Sequence, residues 1–285
     1  EGDVAFFKTT KSSAQYEHAL GVTGDYFFCT GALRTYTGAD KAQIISDTRD
    51  AVSVYGATIG SHNGGLKNPD SNRLPSDEVY WHWGPDQALD LSVTGYPNGK
   101  AYALASILGS FNDIDGWLSG IDNGRAGCGA TSTCPRTFVS PLFNATREGS
   151  KDIMETLGTI NVGEQKLGPF PHRTLSYEIP GKHFSHITVP TSDWFVGAGI
   201  PQAIDMTTAS GSSGFTSTSL RAAIDFYHNN ALLLNFYGHQ PSHLSGLQQD
   251  YVTYSVSKPN MWSANAIGIH DWWLSRSQVS ISPEF

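Results

Sequence analysis

The run ALLLNFY, residues 231–237, is apolar on both faces that an extended chain presents. It follows at once on LRAAIDFYHNN, whose apolar residues recur at helical spacing. A strand apolar on both faces has to be covered on both, which is the situation of a parallel sheet packed between helices. The same alternation recurs along the chain. DYFFCTG, from Asp25 to Gly31, reads as a strand, and a helix is expected near Asp40 to Tyr55, with Ile44, Ile45, Val52 and Tyr55 on one side. Gly56 ends it and ATIGSH follows as the next strand, giving a β-α-β unit of about 30 residues, the size of a parallel crossover.

A further helix is expected near Lys100 to Leu118, then the strand RTFVSPLFN and the helix REGSKDIMETLG, stopped by Gly158. TINVGE and SHITVPTSDWF read as strands, MWSAN as a short strand and AIGIHDWWLSRS as the closing helix. There is no repeat of fixed period and no linker, so residues 1–285 read as one α/β domain of mostly parallel strands. Two polar stretches, about 63–83 and 119–136, are longer than ordinary connections and read as loop insertions.

Composition excludes several classes of function. Apolar residues make up 39% and charged residues 15%, enough apolar surface for a packed core and too little charge for a disordered chain or coiled coil. The net charge of −8 contains no basic block, so neither a nucleic acid nor an anionic membrane surface is the expected partner. No apolar run approaches the roughly 18 to 20 residues that span a bilayer.

Cys128 and Cys134 bracket the polar loop CGATSTC at a spacing that suits a short disulfide better than a metal site. Cys29, in an apolar run, reads as a core thiol. With the sequon Asn144-Ala145-Thr146, these features point to a secreted or otherwise extracytoplasmic protein. The opening EGDVAFF is no signal peptide, and a cleaved one leaves no trace.

In parallel α/β folds chemistry gathers at the carboxyl ends of strands. Here those ends carry His62 and Asn63 after ATIGS, Asn144 after FVSPLF, Asp193 and Trp194 after ITVPTS, and His239 after ALLLNFYG. His172 and Arg173, in PFPHR, read as a surface loop. His183 and His186, in GKHFSH, read as a loop at a strand entrance. The aromatic run Tyr80, Trp81 and Trp83 reads either as a sugar-stacking surface or as a packed lid over the cleft.

The order of these strand ends resembles that of the NodB-homology polysaccharide deacetylases. YFFCTG looks like their second strand and GATIGSH like the strand bearing a metal histidine. FVSPLFN looks like the strand of their aromatic-Arg-x-Pro segment, TSDWF like their Asp-Trp motif, and LLLNFYGH like the strand ending in a catalytic histidine. MWSANAIGIHDWW looks like the closing strand and helix.

The resemblance spans about Gly24 to Trp273. It implies an irregular (β/α)7-type barrel and a metal-dependent hydrolase that removes acetyl groups from a polysaccharide. In that chemistry a divalent ion polarises the carbonyl while a carboxylate base activates water. His239 matches the general acid, and Asp193 is the carboxylate expected beside it. Trp194, Asn144, Asn63 and Trp83 are the expected substrate contacts.

The pattern also departs from the family. DVAFFKTTKSS, opposite the family's first strand, offers Lys8, Thr9 and Thr10 in place of an Asp pair. Leu66 stands where a second metal histidine is expected, and Val139 replaces the arginine. The metal site expected here is therefore a rebuilt one, His62 with His82, whose imidazoles suit zinc at about 2.0–2.1 Å. A base drawn from Asp3, Asp25, Asp86 or Asp193 would favour an enzyme. Without one, the barrel reads as a non-catalytic carbohydrate-binding or assembly module. Cleavage of a glycosidic bond would need two carboxyl groups about 5 to 10 Å apart.

Overall fold

Along residues 25 to 61 the chain forms the expected β-α-β unit, and the rest of the sheet grows from it. The computed structural model describes residues 4–36, 38–62, 99–123, 137–139, 154–162, 170–175, 180–192, 206, 216–238 and 246–280. Strand β1 (Asp25–Phe28) leads through a 3-10 turn (Thr30–Thr35) into helix α2 (Gly38–Ser53) and then β2 (Thr58–Ser61). β1 and β2 pair in parallel, from Asp25 opposite Thr58 to Phe28 opposite Ser61. Gly56, at φ 73°, turns the chain out of α2 as its N–H closes on the Val52 carbonyl at 3.1 Å. A left-handed residue there is what glycine supplies at low cost.

The remaining elements are α3 (Gly99–Trp117), β3 (Thr137–Phe138), β4 (Ile160–Val162), β5 (His172–Leu175), β6 (His183–Val189), α4 (Ser217–Asn229), α5 (Gly246–Val256) and α6 (Ala266–Ser277). The six strands lie in the order β1-β2-β3-β4-β6-β5. All pairs are parallel except β5 with β6, which is antiparallel. The result is a mixed α/β architecture around a mostly parallel sheet. PFPHR and GKHFSH are accordingly not loops throughout, because His172 opens β5 and His183 opens β6.

The residues before β1 are not a strand. They form helix α1 (Val4–Ala19), and Phe7, Thr10, Ser13, Ala14 and Glu17 are its buried positions. That spacing is helical, so Lys8, Thr9 and Thr10 do not stand at a strand end. Lys11 fixes α1 to α2 through Asp47 at 3.4 Å and Asp50 at 2.5 Å.

Alternation along the strands separates two faces of the sheet. Tyr26, Phe28 and Ile59 pack with Phe7 of α1, Leu33 of the 3-10 turn, Ile44 and Val52 of α2 and Ile114 of α3. Phe138 joins Ile107, Phe111 and Met154 beside them. On the opposite face, Phe27, Val139, Ile160, Val162 and Val189 pack against Ala266, Ile267 and Ile269 of α6.

Helix α4 begins at a capping box, Thr216 with Ser219, and buries Leu220, Ala223, Ile224 and Tyr227 against Leu247 and Phe236. The apolar run after it is extended, as expected, but its described residues join no multi-residue ladder. Instead the side chain of Ser192 bridges it. Ser192 Oγ donates to the Leu233 carbonyl at 2.8 Å and accepts from Asn235 N–H at 2.8 Å. MWSAN is likewise no strand: Asn265 is the N-cap of α6, accepting from Gly268 N–H at 2.8 Å. Among the described residues no helix is long and apolar enough to cross a membrane.

One polar side chain takes up backbone groups of β2 that no described strand residue pairs. Thr58 and His62 direct their N–H groups to β1, onto the carbonyls of Gly24 and Phe28 at 3.0 and 2.9 Å. Ile59 therefore faces β3, which pairs with β2 only at Ser61 opposite Phe138. The buried Asn123 fills that place. Its Oδ1 accepts from Ile59 N–H at 2.9 Å and its Nδ2 donates to the Ile59 carbonyl at 2.7 Å. Asn123→Ala leaves both groups buried without partners, and a loss of roughly 2–4 kcal/mol in urea unfolding is expected. A loss below about 0.5 kcal/mol would show that the amide is not bracing β2.

Candidate functional site

The face of the sheet that meets α6 also borders a cavity of about 1240 Å3. That exceeds the roughly 300–1,000 Å3 of ordinary small-molecule pockets. Strand parity turns one set of β1 side chains toward it, although Tyr26 also borders it. Asp25, Phe27 and Cys29 alternate along β1 and just beyond it, and all three line the cavity, as does His62 after β2. Cys29 is therefore a half-buried wall residue rather than the core thiol expected from its apolar neighbours. Gly60 lies between them on β2, where a Cβ would sit 2.5 Å from Thr137 Oγ1 and 2.6 Å from the Phe27 ring. Only glycine lets the neighbouring side chains close over the strand at that point.

His62 stands directly after β2, at the carboxyl end of the parallel strands. Its main-chain N–H donates to the Phe28 carbonyl at 2.9 Å. Its ring Nδ1 lies 2.9 Å from the carbonyl of Val139. A carbonyl only accepts, so Nδ1 carries the proton, and in the neutral ring the lone pair is on Nε2. This is how histidines that ligate metals are commonly oriented, with one nitrogen tied to a backbone carbonyl and the other presented to the ion. The Val139 carbonyl thus holds the ring of His62 through its backbone, at the position where the deacetylase pattern has an arginine.

The other expected site residues, His82, Trp83, Asn63, Asn144, Asp193, Trp194 and His239, lie outside the described residues. So do the aromatic neighbours Tyr80 and Trp81, the carboxylates Asp3 and Asp86, and the cysteine pair Cys128 and Cys134. Thr191 and Gly238, which precede Asp193 and His239 in the chain, both line the cavity. Among the described residues no three His, Cys, Asp or Glu groups gather as a metal site.

Asp25 does not face His62. It pairs across β1–β2 with Thr58, four residues and roughly 13 Å of strand from His62. It belongs to an acidic group at the opposite end of the same cavity. Asp25 Oδ2 accepts from Ala266 N–H at 2.8 Å, where α6 begins, and its buried Oδ1 has no hydrogen-bond partner. Asn265 Nδ2 donates to Thr58 Oγ1 at 2.7 Å beside it.

Glu17, on α1, accepts from Tyr26 Oη–H at 2.8 Å. Burial pushes Asp25 up to about 7, partly offset by the Ala266 N–H and reinforced by the nearby charge of Glu17. Burial likewise pushes Glu17 up to about 7, against the hydrogen bonds from Tyr26 and Gln248. Tyr26 itself is driven well above its usual value by burial and by Glu17. The sequence pattern did not single out Glu17, because α1 buries polar residues and so shows no apolar periodicity.

At the other end of the cavity wall stands an aromatic group that the sequence also concealed. Phe170, Trp262, Trp272 and Trp273 all line the cavity, with Arg276 among them. Trp272, on the closing helix, is 49% exposed. Comparison of the chain with family models, curated proteins and solved structures gives no match.

Glu17 and Asp25 are held largely neutral in the folded protein below about pH 7, but ionise near pH 4 once unfolded. The folded state therefore binds more protons between these values, and stability falls as pH rises from about 4 to 7, then levels. Glu17→Gln keeps an acceptor for Tyr26 and removes one of the two penalties. In urea unfolding at pH 8 the variant is expected to gain up to roughly 3 kcal/mol over the parent, a gain that vanishes at pH 4. An unchanged difference at the two pH values would refute a buried, neutral Glu17.

Proposed function

We propose that this chain is a carbohydrate-active hydrolase of the polysaccharide deacetylase type, removing acetyl groups from a glycan polymer. The observation that carries the reading is His62. It combines a position at the end of a parallel strand, a place on the wall of a large cavity, and an Nδ1–H committed to a backbone carbonyl. That arrangement fits a metal ligand better than a turn residue bonding its own backbone. The reading takes the sheet as part of an irregular (β/α)7-type barrel. The cavity is then its glycan cleft, and an exported protein is the natural setting.

In this proposal a divalent ion, zinc by the chemistry of its donors, is held by Nε2 of His62 with His82. When bound, such an ion polarises an acetyl carbonyl and acidifies water. His239 supplies the proton taken by the departing amine or alkoxide, and Asp193 is the base. Trp194 and Trp83 offer apolar walls to the sugar, while Asn63 and Asn144 offer amide hydrogen bonds to its hydroxyls. A second reading, a non-catalytic carbohydrate-binding module, is favoured by one observation. Asp25, one of the four carboxylates considered as base, faces the far end of the cavity.

The two readings differ in metal content and in acetate release. Chelator-free protein is expected to carry about one zinc per chain, lost with His62→Ala, and to release acetate from acetylated glycans at a rate that falls at least about 100-fold in that variant. Metal-free protein that binds glycans normally and releases no acetate would establish the binding module instead.

A further inference from the structure

Four aromatic rings form a continuous chain on the wall of the cavity. Phe170 stacks on Trp273, with centroids 6.1 Å apart and planes 17° apart. Trp273 meets Trp272 at 5.7 Å and 49°, and Trp272 meets Trp262 at 5.9 Å and 46°. Sequence and helix geometry produce the group. Trp272 and Trp273 lie on α6, Arg276 is one turn further on, and Trp262 precedes the Asn265 N-cap. Phe170 comes just before β5, whose first residue pairs with Thr188 near the carboxyl end of β6. Trp262 and Trp272 are 57% and 49% exposed and Phe170 is 43% exposed, unusual for rings of this size grouped together.

We propose that Trp262, Trp272 and Trp273, with Phe170 and Arg276, form a glycan-stacking subsite that binds a run of pyranose rings along the cavity wall. The inference rests on the carbohydrate reading above and assigns residues that the reading did not use. Three features favour pyranoses over a lipid or an apolar peptide. First, the tryptophans are tilted by about half a right angle from one to the next, so they present separate ring faces and not one flat greasy surface. A pyranose has a flat C–H face of about that size, with hydroxyls at its edge.

Second, the rings lie on a concave wall whose volume exceeds that of ordinary small-molecule pockets. Third, a cation is fixed among them. The Arg276 guanidinium lies 5.7 Å from the Trp272 ring and 4.8 Å from the Trp273 ring, and it makes no ion pair among the described residues. Stacking on the rings orders its donors for edge hydroxyls without occupying them.

The test is titration of the full chain with chitohexaose, cellohexaose and xylohexaose, followed by tryptophan fluorescence and calorimetry. At least one hexaose is expected to bind and to quench fluorescence. Trp272→Ala and Trp262→Ala are each expected to weaken that binding about tenfold, and Trp272→Phe by less. Both positions are half-exposed, and a thermal melt confirms that the variants are folded. Acetate release from a small acetylated monosaccharide reports separately on His62.

Trp-dependent glycan binding without acetate release leaves the subsite standing and removes the hydrolase. Acetate release that depends on His62, with binding unchanged in both tryptophan variants, removes the subsite and leaves the hydrolase. Failure of all three hexaoses to bind overturns the subsite. So does fluorescence quenching by phosphatidylcholine vesicles or by self-association in their place.

Discussion

The parallel pairing of β1 with β2 sets the positions of everything described here. Its register, Asp25 with Thr58 through Phe28 with Ser61, sends alternate side chains to opposite sides of the sheet. Tyr26, Phe28, Ile59 and Ser61 go toward α1, α2 and α3, where the apolar ones build the core and Ser61 bonds Ser110 on α3 at 2.8 Å. Asp25, Phe27, Thr58 and Gly60, with Cys29 and His62 beyond them, go toward α6 and the cavity. A slip of one residue would turn over the side chains of the shifted strand, placing either Phe28 in the cavity or His62 in the core. Asn123 helps to prevent that slip by closing on both backbone groups of Ile59.

The same register explains why the cavity has two unlike ends. Parallel strands bring all their carboxyl ends to one rim, and His62 is there with Cys29 and Val139. Asp25 occupies the amino end, where α6 begins and Glu17 approaches from α1. Both carboxyl groups are buried, and their raised pKa values measure the cost of holding charge away from water. Helix α6 connects the ends. Its first N–H binds Asp25, its apolar residues cover β4 and β6, and its tryptophans reach Phe170 beside β5.

Elements whose burial is apolar were legible in the sequence. The β-α-β unit, α3, α4 and α6 all follow from hydrophobic spacing and from the residues that start and stop them. Helix α1 was not, because most of its buried positions, Thr10, Ser13 and Glu17 among them, are polar. Extension of residues 232–236 was legible, but its attachment through the Ser192 side chain was not, since no pattern marks a serine that replaces a ladder. MWSAN reads as a strand only until Asn265 is seen as a cap. In the site, His62 was legible because it ends a strand. Asp25 was considered as a base for His62, but its place at the opposite end of the strand needed the register. The tryptophans of α6 were read only as part of the closing helix, because hydrophobic pattern does not report whether a partner covers a side chain.

In the proposed hydrolase, the protein orients His62 so that its Nε2 serves as a ligand at the cavity wall. Long-range proton–nitrogen correlation spectra of the imidazole rings test it directly, with His62 identified by the signal lost in His62→Gln. The neutral ring is expected to be the Nδ1–H tautomer, bonded to the Val139 carbonyl, and zinc is expected to move the Nε2 resonance at one equivalent. An Nε2–H tautomer, or a ring whose nitrogens do not respond to zinc, would contradict the account.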